Sequence, residues 1–338
     1  MFSFRAAVVL AAIAVGSNGA LFAQQRSSDT GVFRVKSQLV MVDAQVVNKK
    51  TGRAVRNLKQ DDFQLLEDGL PQPITAFSQD EQPLSVVLLF DLTDSVRPVL
   101  KALAAGALEA LQHLKPEDRV CVMAYSASVQ MVQDFTTDRE LAARAVETAG
   151  EMKSDEAAFF NEGIYQAADW LARYSAPASR HVIIWFTDDV PNFPSDDVRA
   201  RYGQSLGKAA LHTEKEAREE LLRTDVSVYT LLEQSEISEE QAASRQSNLF
   251  ATKVAAMQNP PGDVHKYAKI SGGSVVEADR KHAPERLAKV IDDIRMRYSL
   301  AYHPPGAKPA GKFCTIKVKV SREAGKDLLV QAKQGYYR

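Results

Sequence analysis

Cysteine is scarce: the 338 residues contain only Cys121 and Cys314. A disulfide-dense scaffold is excluded, and each thiol sits in a strand-like stretch where cysteine ordinarily acts as a small buried hydrophobe. A bridge would need those two strands to be neighbours. An excess of one charge is absent too. With 42 basic and 43 acidic residues the net charge is -1, so the chain offers no basic face of the kind nucleic acid demands. The six histidines are scattered, with no His-Glu-x-x-His pair, which removes the usual helical signature of a hydrolytic zinc site. Long apolar runs are also missing. The run from Ala6 to Val15 spans about ten residues, short of the roughly 20 that a membrane-crossing helix needs.

What is present describes an ordinary globular chain, 45% hydrophobic and 25% charged, with room for about two domains. Arg5, the short apolar run and the small residues up to Ala23 are arranged as in a secretory signal peptide. The expectation is a cleaved leader over residues 1–23 and a mature chain that is secreted or periplasmic, without a transmembrane segment.

Beyond the leader, β character comes first. Val40 to Val47 and Phe63 to Leu66 are strand-like, Asp68-Gly69 is a turn signal, and Ile74 to Phe77 resumes the strand pattern, which predicts a hairpin. The other end of the chain reads alike: Tyr298 to Tyr302, the alternating Phe313-Cys-Thr-Ile-Lys-Val-Lys-Val320, and Leu328 to Ala332. Neither set alone covers its apolar face. The two are expected to pair into one small β-sandwich, residues 24–80 with 299–338, into which residues 81–298 are inserted.

The inserted stretch alternates strands with helices. Leu84 to Phe90 carries no charge and reads as a strand buried on both faces. Arg97 to Leu114 has apolar residues at helical spacing, with Pro98 tolerated in the first turn. Arg119–Tyr125 and Val129–Val132 lie so close that they predict an antiparallel hairpin. Helical pattern returns over 138–150, 161–174 and 196–223, where Thr213 and Glu216 make a capping-box signature; strands recur at 181–189, 226–232 and 273–277. This order predicts an α/β fold, a doubly wound and mostly parallel sheet of Rossmann-like type with one antiparallel edge strand.

Two of the buried strands run into oxygen-bearing residues. The first ends in Asp91, Thr93 and Ser95, alternate positions whose side chains converge on one point if the loop is extended; the second ends in Asp188. Ligands of open α/β sheets bind at that carboxyl end. A plainer reading is that Asp91, Thr93 and Ser95 cap the helix starting near Arg97. The string Gly203-Gln-Ser-Leu-Gly207 matches a nucleophile elbow, but its flanks are helical where that motif needs a strand.

Val86-Val-Leu-Leu-Phe-Asp-Leu-Thr-Asp-Ser95, the hairpin at 119–132 and Ile183-Ile-Trp-Phe-Thr-Asp188 together resemble a von Willebrand factor type A domain. That resemblance implies a metal-ion-dependent adhesion site holding a divalent cation, usually Mg²⁺, with Mn²⁺ or Ca²⁺ as alternatives. Asp91, Thr93 and Ser95 match its first loop, with Thr93 in place of a serine, and Asp188 its last. At the position of its second-loop threonine the chain has Glu162, beside Asn161, which adds a third formal negative charge or makes the site degenerate and metal-free. Asn57-Leu-Lys-Gln-Asp-Asp-Phe-Gln-Leu-Leu-Glu-Asp-Gly69 is similar to the exported type A proteins of acidobacteria. The implied function is a protein-binding module that engages an acidic group on a partner protein. A structural part of a cell-envelope assembly with an inert site, or a metal-dependent hydrolase, are the alternatives; the hydrolase lacks an evident general base.

Overall fold

The computed structural model describes residues 39–79, 82–126, 128–153, 158–189, 212–233, 263–306, 308–321 and 327–338. The expected leader, the first part of the helix over 196–223 and the Gly203–Gly207 string lie outside the described residues.

In chain order the strands are β1 (Val40–Asn48), β2 (Phe63–Glu67), β3 (Leu70–Gln72), β4 (Ala76–Ser78) and β5 (Leu84–Asp91). Then come helix α1 (Arg97–Leu111), strands β6 (Arg119–Tyr125) and β7 (Val129–Thr136), helices α2 (Arg139–Glu151) and α3 (Phe160–Tyr174), and strand β8 (Arg180–Thr187). Helix α4 (Glu214–Arg223), β9 (Val226–Glu233), α5 (Val264–Ser271), β10 (Val275–Ala278) and α6 (Ala283–Arg295) complete the alternating region. It is followed by β11 (Tyr298–Tyr302), β12 (Phe313–Val320), β13 (Leu328–Ala332) and β14 (Gly335–Tyr337).

The central sheet has six strands in the order β10-β9-β8-β5-β6-β7. All pairings are parallel except β6 with β7, the antiparallel edge. Strand β5 lies in the middle, and its lack of charge follows from that place. Successive side chains of a strand alternate between faces, so Leu84, Val86, Leu88 and Phe90 enter one core while Val87 and Leu89 enter the other. Leu103 of α1, Val146 of α2 and Ile291 of α6 cover the first face; Ile164 of α3, Leu221 of α4 and Tyr267 of α5 cover the second. This is a mixed α/β fold with a doubly wound, mostly parallel sheet.

Chain-end strands form two antiparallel four-stranded sheets, β13-β1-β11-β4 and β14-β12-β2-β3. They share one apolar core that includes Val42, Leu65, Leu300 and Ile316. Helix α6 hands the chain directly to β11, which pairs with β1 so that Val42 faces Leu300. Cys121 and Cys314 are buried free thiols. Cys121 in β6 and Cys314 in β12 belong to different sheets, so no bridge is within reach.

One expected pairing is corrected. The turn at Asp68-Gly69 does make a hairpin, but β2 pairs with Leu70–Gln72, while Ala76–Ser78 crosses to the other sheet beside β11. Both turn residues have positive φ, 49° and 81°, the requirement of a two-residue turn whose partner strand must begin at once. Pro71 is tolerated because β3 is an edge. The short β14 carries too few residues to register as a sequence pattern.

The same turn carries a pH-sensitive contact. Asp68 accepts from Lys308 Nζ at 2.8 Å and from Thr315 N at 2.8 Å. The Lys308 bond, followed by that from Thr315, holds its carboxyl down to about 2. An unfolded aspartate takes up its proton near pH 3.9, so the stability from this contact is complete above pH 4 and drains away as pH falls toward 2. Asp68→Asn is expected to remove that component: acid unfolding between pH 4 and 2, followed by circular dichroism, becomes shallower, and the loss at pH 7 stays under about 1 kcal/mol because the pair is solvent-exposed.

Candidate functional site at the carboxyl edge of the central sheet

Strands β5, β6 and β8 are parallel neighbours, so Asp91, Tyr125 and Thr187 at their ends meet on one rim. Asp91 is fully buried. Its Oδ1 accepts the Thr93 backbone N–H at 2.9 Å, and its Oδ2 accepts the hydroxyls of Thr187 at 3.0 Å and Tyr125 at 3.2 Å. Trp185 Nε1 donates to the Tyr125 oxygen at 2.8 Å, which fixes that hydroxyl. The carboxylate is thus clamped by the strands on either side of its own.

The loop after β5 then turns back toward the loop after β8. Ser95 Oγ donates to Asp188 Oδ2 at 2.6 Å and lies 3.3 Å from Thr93 Oγ1. None of these side chains caps α1: its N-cap is Val96, with no side-chain bond to the first turn. The plainer capping reading therefore does not describe how the three residues are used. Burial, and next the charge of Asp188, push the Asp91 carboxyl up to about 7 against the bonds from Thr93 and Thr187. Two carboxylates repelling each other at a buried rim form a site that a cation would relieve.

Hydrogen bonds link Asp91, Thr93, Ser95 and Asp188 into one group, and Glu162 bonds to Gln166 and His212. Glu162 is buried in the first turn of α3, where Gln166 Nε2 donates to one oxygen and His212 donates to the other from its backbone N at 2.9 Å. His212 Nδ1 lies 2.8 Å from that second oxygen, and its ring stacks on Tyr165 at 3.4 Å. Neighbouring Asn161 accepts from the Tyr267 hydroxyl. Asp94 pairs with Arg97 at the surface. Asp189 accepts the Val264 N–H at the start of α5, and burial pushes its carboxyl up to about 6.

Sequence reading missed Ser126. It follows Tyr125 at the end of β6, and its hydroxyl is buried with no hydrogen-bond partner. The signal was available: it is a hydroxyl at the carboxyl end of a buried parallel strand next to β5. Carboxylates of Asp91 and Asp188, hydroxyls of Thr93 and Ser95 and this orphaned hydroxyl are all hard oxygen donors. Their chemistry fits Mg²⁺, Mn²⁺ or Ca²⁺. A second acidic cluster, Glu67 and Asp68 with Cys314, already holds a cation of its own, the Lys308 ammonium.

Residues 86–190 match the family model of the von Willebrand factor type A domain. No curated protein matches the sequence. Among solved structures, an aerotolerance-related membrane protein from Bacteroides fragilis is similar at 14% identity, over 62% of this chain and 98% of that one, with a TM-score of 0.36. The vWF domain of a type V pili tip protein from Porphyromonas gingivalis is similar at 12% identity, over 64% and 95%, with a TM-score of 0.39. Proximal thread matrix protein 1 from the mussel byssus, with a zinc-occupied MIDAS motif, is similar at 12% identity, over 65% and 50%, with a TM-score of 0.39.

Proposed function

Because this chain carries a von Willebrand factor type A domain, we propose that it is an exported protein-binding module whose divalent-cation site engages an acidic group of a partner protein. The observation that supports this most is the bond from Ser95 Oγ to Asp188 Oδ2 beside the clamped Asp91. It joins the loops after β5 and β8 at one point. Asp91, Ser95 and Asp188 would hold the ion, with the Thr93 hydroxyl next to them. Bound there, a divalent cation supplies an electrophilic position that a partner's carboxylate can occupy.

The chain's own residues do the rest. Thr187 and Tyr125 keep Asp91 from turning away, and β5 and β8 fix the spacing of the two loops. Glu162 has donors of its own at the start of α3, Gln166 and His212. No proton-transfer role is proposed for the acids. The groups that bond Asp91 orient it.

The test is direct. In calorimetry and thermal melts the mature chain takes up MgCl₂, EDTA reverses the stabilisation, and Asp91→Ala abolishes it while keeping the fold. Ser95→Ala weakens cation affinity about tenfold, the worth of one strong ligand contact. Envelope-fraction proteins retained on the immobilised chain in Mg²⁺ are released by EDTA and are not retained by Asp91→Ala. Absence of both heat and thermal shift would leave the site inert and favour the structural-component reading.

A further inference from the structure

Resting on the cation site proposed above, we infer that Tyr125 is a positioning residue of that site, seated by Gly163, and that it commits Asp91 to presenting one oxygen to an ion. Each carboxylate oxygen has two lone pairs with which to accept hydrogen bonds. Asp91 Oδ2 already takes two, from the Thr187 hydroxyl at 3.0 Å and the Tyr125 hydroxyl at 3.2 Å. Oδ1 takes the Thr93 N–H at 2.9 Å. The remaining bond to the carboxylate comes from the Thr93 side chain, itself one of the candidate ligands. Oδ1 is therefore the oxygen left for an ion.

The Tyr125 hydroxyl cannot turn away from Asp91. Trp185 Nε1 is a donor only, so at 2.8 Å it occupies an acceptor side of the Tyr125 oxygen, and the Tyr125 proton points to Asp91. The ring is fully buried and Phe160 meets it edge-on, with centroids 6.1 Å apart at 89°. Gly163 of α3 lies against the same ring. A Cβ there would stand 3.0 Å from Tyr125 Cδ1 and 3.1 Å from Cγ, tighter than such contacts ordinarily are. A side chain at 163 displaces the ring and, with it, a hydroxyl whose bond to Asp91 is already long for O–H···O. The bare backbone at 163 thus serves the orientation of Asp91 as well as the packing of α3.

Filling Oδ2 bears on which ion fits. Ca²⁺ gathers about six to eight oxygens and takes carboxylates through one oxygen or both, whereas Mg²⁺ holds to an octahedron, keeps several waters and needs one or two carboxylates. An Asp91 confined to Oδ1 suits Mg²⁺. Removing the Tyr125 hydroxyl opens a lone pair on Oδ2 and loosens the carboxylate, which costs Mg²⁺ its fixed ligand while giving Ca²⁺ a second oxygen in return.

The test is calorimetric titration of the mature chain with MgCl₂ and with CaCl₂, for wild type, Tyr125→Phe and Gly163→Ala. Wild type is expected to bind Mg²⁺ more tightly than Ca²⁺. In Tyr125→Phe, Mg²⁺ affinity falls about tenfold, the worth of one hydrogen bond to a charged group, and Ca²⁺ affinity by less than about threefold. Gly163→Ala keeps every donor and shifts the ratio in the same direction by a smaller factor; it carries the test if Tyr125→Phe, which leaves Trp185 Nε1 without its acceptor, does not fold. Equal weakening of both ions in Tyr125→Phe would mark a purely structural role, and unchanged affinities no role. Either overturns the inference while the cation reading stands, as does a wild type that prefers Ca²⁺ or a Gly163→Ala protein with wild-type affinities. Absence of heat from wild type with both ions overturns the cation reading itself, and this inference with it.

Discussion

Asp118→Ala is expected to lower stability by about 3–5 kcal/mol, the range for breaking a buried charge pair by removing one partner. Asp118 sits in the turn before β6 with its carboxylate fully buried. One oxygen accepts the Leu84 N–H at 2.8 Å, where β5 begins; the other accepts the Lys115 N–H at 2.7 Å and a bond from the Arg295 guanidinium. Arg139 ties the same turn to α2 through the Lys115 and Asp118 carbonyls. A single carboxylate thus holds the entry of the central strand and the last turn of α6, from which the chain passes to β11. Alanine leaves the buried Arg295 charge without this counterion and the Leu84 N–H without an acceptor. Asp118→Asn keeps an acceptor for Leu84 and is expected to lose less. Urea unfolding of both variants, with Asp118→Leu/Arg295→Met as a third, measures the effect; the double variant recovers only the part of the loss due to the uncompensated Arg295 charge, because leucine also leaves the Leu84 and Lys115 N–H groups without an acceptor. A loss below 1 kcal/mol for Asp118→Ala would show that the pair is not what joins these elements.

That residue also marks how far local sequence pattern reaches. In Lys115-Pro-Glu-Asp-Arg119 it reads as an ordinary solvated turn, because what buries it comes from Leu84 and Arg295, far away in sequence. Strand β5 was legible because its uncharged run directly reports burial on both faces. The cap of α4 was legible for a similar reason: Thr213 and Glu216 bond each other within four residues. Asp91, Thr93 and Ser95 could be grouped because one loop carries them, and Asp188 because it ends a second strand of the same design.

Glu162 shows the opposite case. Its position at the start of a helix, near the matched motif, placed it with the acids, yet its partner His212 lies 50 residues further on. Nothing in the spacing announces that pairing.

Asp91→Asn is expected to move stability in opposite directions with and without the cation. In EDTA the wild-type rim holds a buried carboxylate whose proton affinity is raised by burial and by Asp188. Asparagine keeps an oxygen for the Thr93 N–H, and the hydroxyls of Thr187 and Tyr125 can rotate to accept from its amide. The variant therefore loses the unfavourable charge without losing the clamp, and at pH 8 it should be more stable than wild type by about 2 kcal/mol. With Mg²⁺ at a hundredfold excess over its dissociation constant, the wild type gains about 2.7 kcal/mol and the variant gains nothing. The order of the two melting curves then reverses. Such a crossing is what a functional site kept at the expense of stability should give. An Asp91→Asn protein less stable than wild type in EDTA would mean that the carboxylate serves the fold rather than an ion.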